Sequence, residues 1–126
     1  MATMTIIDEG VVNTFSTSST QTLHSLSIED NCGGGVEARI TARRVSDGAT
    51  KVFFLDVGFK RETGDLTVFG LNLLPAKGTT ADLLALAAVL ATIDASSGDL
   101  RVRVTGLASE DIDWGVRLAG EAIVHV

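Results

Sequence analysis

The stretch Val36–Val45 constrains this chain more than any other. Val36, Ala38, Ile40 and Ala42 alternate with Glu37, Arg39, Thr41 and Arg43, a period of two that turns one side of an extended strand to a core and the other to water. Winding the same residues into a helix would mix the charges into the apolar side. Ser46-Asp47-Gly48-Ala49-Thr50 follows, and its Asp-Gly pair suits the positive φ of a tight turn. The chain then returns along Lys51–Arg61, with Phe53, Leu55, Val57 and Phe59 on one face and Phe54, Asp56, Gly58 and Lys60 on the other. The two segments predict a hairpin.

The same period recurs downstream. Glu62-Thr63-Gly64-Asp65 turns the chain into Leu66–Leu74, which is apolar on both faces and stops at Pro75, the only proline, before a Lys77-Gly78-Thr79-Thr80 loop. Leu100–Thr105 alternates Leu100, Val102 and Val104 with Arg101 and Arg103. From Ile112 onward, Trp114, Val116, Leu118, Gly120, Ala122, Val124 and Val126 share a side, opposite Asp113, Arg117, Glu121 and His125. Upstream, Thr22–Ile28 sets Leu23, Ser25 and Ser27 against His24, Leu26 and Ile28, and Ile6–Phe15 is a weaker β segment broken at Gly10. Ala81–Ala95 has two readings. Its Ala and Leu content favours helix with Thr80 as N-cap, whereas Val89, Ala91 and Ile93 lead into the Asp94–Asp99 turn as a strand would. We read a helical turn near Ala81–Leu86 and then a strand Ala87–Asp94. The expected fold is all-β, an antiparallel β-sandwich or jelly roll of seven or eight strands. Residues 1–20 form an N-terminal arm or a first strand, both open on the residues, and 21–126 a single sandwich domain.

Composition narrows the partners. The 126 residues are one domain's worth of chain, and 45% hydrophobic against 21% charged residues excludes disorder. A net charge of −6 and a pI near 4.7 make nucleic acid an unsuitable partner, because phosphate binding needs clustered positive charge. The first twenty residues lack the cationic and apolar regions of a signal peptide. The longest apolar uncharged runs, Leu66–Ala76 and Leu83–Ile93, fall well short of the ~20 residues of a membrane span. A single cysteine excludes an internal disulfide framework and fits synthesis in a cytoplasm.

Chemistry-bearing motifs are sparse. The run Asn31-Cys32-Gly33-Gly34-Gly35 could form an anion nest, but it leads into a strand and no lysine follows, so it reads as a flexible turn or a site of tight backbone packing. Cys32, His24 and His125 are the only soft ligands, without the paired short spacings of a zinc site. Cys32 reads as a small, partly buried apolar group, and His125 as solvent-facing or at a subunit contact. Glu110-Asp111-Ile112-Asp113 and Asp94–Asp99 could supply oxygen ligands to calcium, but neither matches a calcium loop and both read as solvated turns. Trp114 begins the most apolar strand face and reads as core rather than as a sugar- or base-stacking platform. No catalytic, cofactor-binding or metal residue is assigned, no cofactor is expected, and the chain is expected not to be an enzyme.

What remains is apolar surplus. Mean hydropathy is +0.32, and Phe54, Phe69, Leu71, Leu73, Leu84 and Leu86 crowd both faces of their segments. A sandwich of this size has limited two-sided interior, so part of this surface is expected in a subunit interface.

Two blocks carry a resemblance. Val36-Glu-Ala-Arg-Ile-Thr-Ala-Arg-Arg44 ends ahead of a Ser-Asp-Gly turn and a return strand. Asp99-Leu-Arg-Val-Arg-Val-Thr-Gly106 is followed by an acidic loop and Ile112-Asp-Trp-Gly-Val-Arg117. Together they resemble a β-domain of tailed-bacteriophage virion proteins of the capsid-decoration or fibre type, loosely over 26–126. Ala87 is small where relatives often carry an aromatic, and some thirty-five residues precede the block instead of a long stem. The resemblance therefore implies a capsid decoration or cement protein, or a small spike, with Ala2–Ser19 as an arm along a neighbour or an ordinary first strand. The implied partners are further copies of itself in a homotrimer and the major capsid protein, with no nucleic acid and no membrane. The implied location is the capsid surface of the virion, after synthesis in the host cytoplasm. A tail fibre or tail-tip component binding a host receptor is the alternative. A small hydrolase is set aside for want of an acid–base–nucleophile set.

Overall fold

The computed structural model describes residues 2–10 and 13–124. Its elements run β1 (Ala2–Glu9), β2 (Asn13–Phe15), β3 (Thr20–Ser27), β4 (Cys32–Arg44), β5 (Thr50–Arg61), β6 (Thr67–Lys77), α1 (Thr80–Ala85), β7 (Leu90–Ser96), β8 (Asp99–Thr105) and β9 (Ile112–Val124). Sheet A has the order β1-β9-β4-β5-β6, with β2 also on β9, and sheet B the order β3-β8-β7. Every pairing is antiparallel. The expected all-β sandwich is the fold found.

The alternating residues set the register. In β4 and β5 the hairpin pairs Val36 with Val57, Ala38 with Leu55 and Ile40 with Phe53. On the other flank of β4, Ala38 meets Leu118 and Ala42 meets Trp114. These side chains form one core with Leu100, Val102 and Val104 of β8 and Ile93 of β7. Each buried Val, Leu, Ile or Phe among them contributes about 1.5–3 kcal/mol. Trp114 is fully buried and stacks on Phe53 with ring centroids 6.3 Å apart.

The glycine run is a device for close packing within β4. A Cβ on Gly34 would lie 2.1 Å from the Glu121 carbonyl oxygen, and one on Gly120 would lie 2.1 Å from that of Gly35. Only hydrogen at these positions lets β4 and β9 approach. The flexible-turn reading is thereby replaced by the packing one.

Five local expectations are corrected. The strands described number nine, partly because Ile6–Phe15 divides into β1 and β2. In β3 the pairing shifts register between Thr22 and His24, and this bulge turns both Leu23 and the Leu26/Ile28 side toward the core. β6 continues through Pro75 to Lys77 because it is an edge strand, where a missing N–H leaves no ladder partner unpaired on the open side. The helix is capped by Thr79, whose Oγ1 accepts from the Asp82 N–H, rather than by Thr80. β7 then starts at Leu90 rather than Ala87. No helix among the described residues is long and apolar enough to cross a membrane.

Candidate functional site

The residues singled out for chemistry are held apart in structural roles. Cys32 opens β4 and is buried. Burial pushes its thiol up, and the nearby Glu29 charge adds to the effect, the opposite of what an activated nucleophile needs. His24 Nε2 lies 2.6 Å from Asp8 Oδ2, a clasp between β3 of sheet B and β1 of sheet A. His125 lies outside the described residues.

The acidic clusters are likewise engaged. Thr14 Oγ1 donates to Asp113 at 2.6 Å and the Ser16 hydroxyl donates to Asp111. Glu110 lies 3.5 Å from Arg44. Asp94 takes a two-pronged contact from Arg101 at 2.8 and 3.0 Å, and Asp99 accepts from Ser27. Among the described residues, no three His, Cys, Asp or Glu side chains come together as a metal-binding group.

Three cations that the periodicity did not single out organise the structure. Arg44 grips Asp47 across the β4–β5 turn at 3.1 and 2.7 Å. That bond, with the Ala49 N–H, holds the Asp47 carboxyl down at about 2. At the other end of the sandwich, Arg61 donates to the carbonyls of Ile28 and Gly64 and pairs with Asp30. Lys51 is the one buried charged residue among those described. Its Nζ donates to the carbonyls of Leu86 and Val89 at 3.1 and 2.9 Å and lies 5.0 Å from the Phe53 ring centroid. Burial lowers its pKa. It ties the segment after α1 to β5, and Leu86, counted in the apolar surplus, is buried there.

Two surfaces remain as candidates. The first is the outer face of sheet A, where a depression of about 230 Å³ is lined by Glu37, Arg39, Phe54, Asp56, Leu74 and Arg117, among others. Glu37 faces Asp56 across β4–β5, and Arg39 faces Arg117 across β4–β9. The lining carries charges of both signs and no Cys, Ser or His.

The second is the β6 edge. Phe69, Leu71, Leu73 and Leu74 are all exposed on this strand, at 51, 39, 60 and 50%. Partners in register fix their directions. Leu73 lies beside inward-facing Leu55, and Leu74 beside outward-facing Phe54. The Phe69 ring sits over Gly58, where a Cβ would come within 2.5 Å of it. Sheet B has three strands against the larger sheet A, so β6 lacks the full cover that β4 and β9 receive. Leu84 of α1, 78% exposed, and Leu90 of β7, 55% exposed, are further apolar side chains open to solvent.

These features define an antiparallel β-sandwich with one unfinished apolar edge. Among solved structures, the Acinetobacter baumannii phage AM24 tailspike protein is similar in fold, with a TM-score of 0.51 and 9% sequence identity over 92% of this chain. The match takes in 26% of the tailspike chain, so this chain spans about a quarter of that protein's length. No protein-family model and no curated protein matches the sequence.

Proposed function

We propose that the chain is a structural protein of a bacteriophage virion, without enzymatic activity, and that it decorates or cements the capsid exterior as a homo-oligomer, a trimer being the expected form. The observation that carries this reading is the β6 edge, a sandwich strand exposing Phe69, Leu71, Leu73 and Leu74. A protein that works by burial needs such a surface, and obligate interfaces resemble a core cut in half. The engaged carboxylates and the upward-shifted thiol favour structure over turnover. The fold likeness to a phage tailspike protein adds support for a virion role.

Decoration would act by mass action. Binding of the folded chain across neighbouring capsid subunits stabilises the particle without any covalent step. The net charge of −6 suits a surface exposed beside packaged nucleic acid, which it does not attract. Adding the purified protein to stripped capsids tests the reading. Saturable rebinding with a raised capsid melting temperature is expected, and no association would overturn it. A tail component that binds a host receptor is the second reading, to which the tailspike likeness lends the same coarse support. Copies per virion separate the two, with hundreds expected for decoration and a few dozen at most for a tail part.

A further inference from the structure

We infer that the apolar surface of β6, α1 and the start of β7 is where copies of this chain meet one another, by side-chain packing around a shared axis and not by extending sheet A with a new strand. This deepens the oligomeric part of the proposed function and rests on it. Phe69, Leu71, Leu73, Leu74, Leu84 and Leu90 are all exposed. Leu73 lies on the inner side of the β6 edge and Phe69 and Leu74 on the outer side, and summed over both sides, α1 and β7 the exposed apolar area is on the order of 600 Å², so a copy that covers it must wrap the edge. That area approaches the roughly 800 Å² that each partner brings to a standard interface.

Charge names the occupant. Residues 66–76 carry no ionisable group, and neither do 83–93. The chain as a whole carries −6, so two copies repel over much of their surface. These two stretches combine exposed apolar side chains with the absence of charge, so like copies approach there without placing like charges together. The other edge of sheet A carries Asp8, and of the two edge strands of sheet B, β7 carries Asp94 while β3 has no acidic residue but exposes Thr20, Thr22, Ser25 and Ser27 rather than apolar side chains.

The backbone of β6 argues against open-ended strand addition. Gly70 has φ +67 beside a register shift opposite Asp56/Gly58, and Pro75 has no N–H. A bulge and a proline on an edge are the features that block continuous edge pairing. What they leave available is the side chains, which suits a closed assembly in which each copy presents the same patch.

Sedimentation and light scattering of the full chain across a concentration series test this. The wild type is expected to form one discrete oligomer. Leu73→Glu and Leu84→Lys are expected to raise its dissociation constant roughly thirtyfold or more, with circular dichroism and monomer melting unchanged. Leu84 is 78% exposed, so its replacement keeps the test valid if Leu73→Glu fails to fold. Ile7→Lys and Ile123→Lys, at exposed apolar positions of β1 and β9 on the other side of sheet A, are expected to stay oligomeric. An oligomer broken by the Ile7 and Ile123 variants and indifferent to Leu73 and Leu84 overturns the surface while leaving self-association intact. Open-ended polymers overturn the closed packing. A wild-type monomer that rebinds capsids makes the capsid the occupant and overturns the inference without touching the virion role. A monomer that never binds capsids overturns both.

Discussion

The β4–β9 pair and the β6 edge are built from similar residues and end in opposite surroundings. Ala38, Ile40, Val116 and Leu118 are buried, whereas Leu71, Leu73 and Leu74 are open to solvent. Both regions are strands rich in apolar side chains, set at the strand period in β4 and β9 and on both faces of a bulged strand in β6. The difference lies in what stands opposite. β4 and β9 share their core with sheet B, while β6 reaches the edge of the larger sheet, beyond full cover by its three-stranded partner. Strand periodicity thus reports which face is apolar, and the size of the opposing sheet decides whether that face is buried.

That contrast can be broken by substitution. Trp114→Ala removes a fully buried ring stacked on Phe53 and is expected to cost about 3–5 kcal/mol in urea unfolding. Leu73→Ala in the monomer is expected to change stability by less than about 0.5 kcal/mol. Comparable costs for the two would erase the distinction between the regions. Gly34→Ala sharpens it, since its Cβ would meet the Glu121 carbonyl at 2.1 Å. An unfolding cost of about 3 kcal/mol is expected from the forced separation of β4 and β9.

The smaller effects concern how α1 and the turns are held. Lys51→Met leaves the Leu86 and Val89 carbonyls without their donor, and a loss of about 1–3 kcal/mol is expected by thermal or urea unfolding. Asp47→Asn tests the β4–β5 turn through pH. The folded carboxyl sits at about 2, below its unfolded value, so its stabilising effect is present above the unfolded value and fades as pH falls through the folded one. The stability gap between wild type and variant is therefore expected to be constant near neutrality and to close toward pH 2. A gap that persists in acid would show that the Arg44 contact is not its source.

Much of the fold was legible in the residues. The charge–apolar alternation of 36–45 and 100–105 admits one arrangement, because any other would bury arginine. The bulge at Thr22/His24 was not legible, since a register slip leaves no mark in a single strand's composition. The β6 continuation through Pro75 escaped for a related reason: proline is tolerated only on an edge, and edge position is a property of the whole sheet. Lys51 and Arg61 fall on the inward side of the 51–61 alternation, but their carbonyl partners come from distant segments that a single strand does not show. The apolar surplus was visible as an excess but not as a place, and one of its members, Leu86, belongs to the core.

Hydroxyl-radical footprinting across a dilution series reads the central claim directly, because it reports the solvent access of individual side chains. Phe69, Leu73 and Leu84 are expected to be shielded at high protein concentration and to become reactive on dilution, while Ile7 and Ile123 label at one rate throughout. Uniform labelling of all five at every concentration would contradict the account.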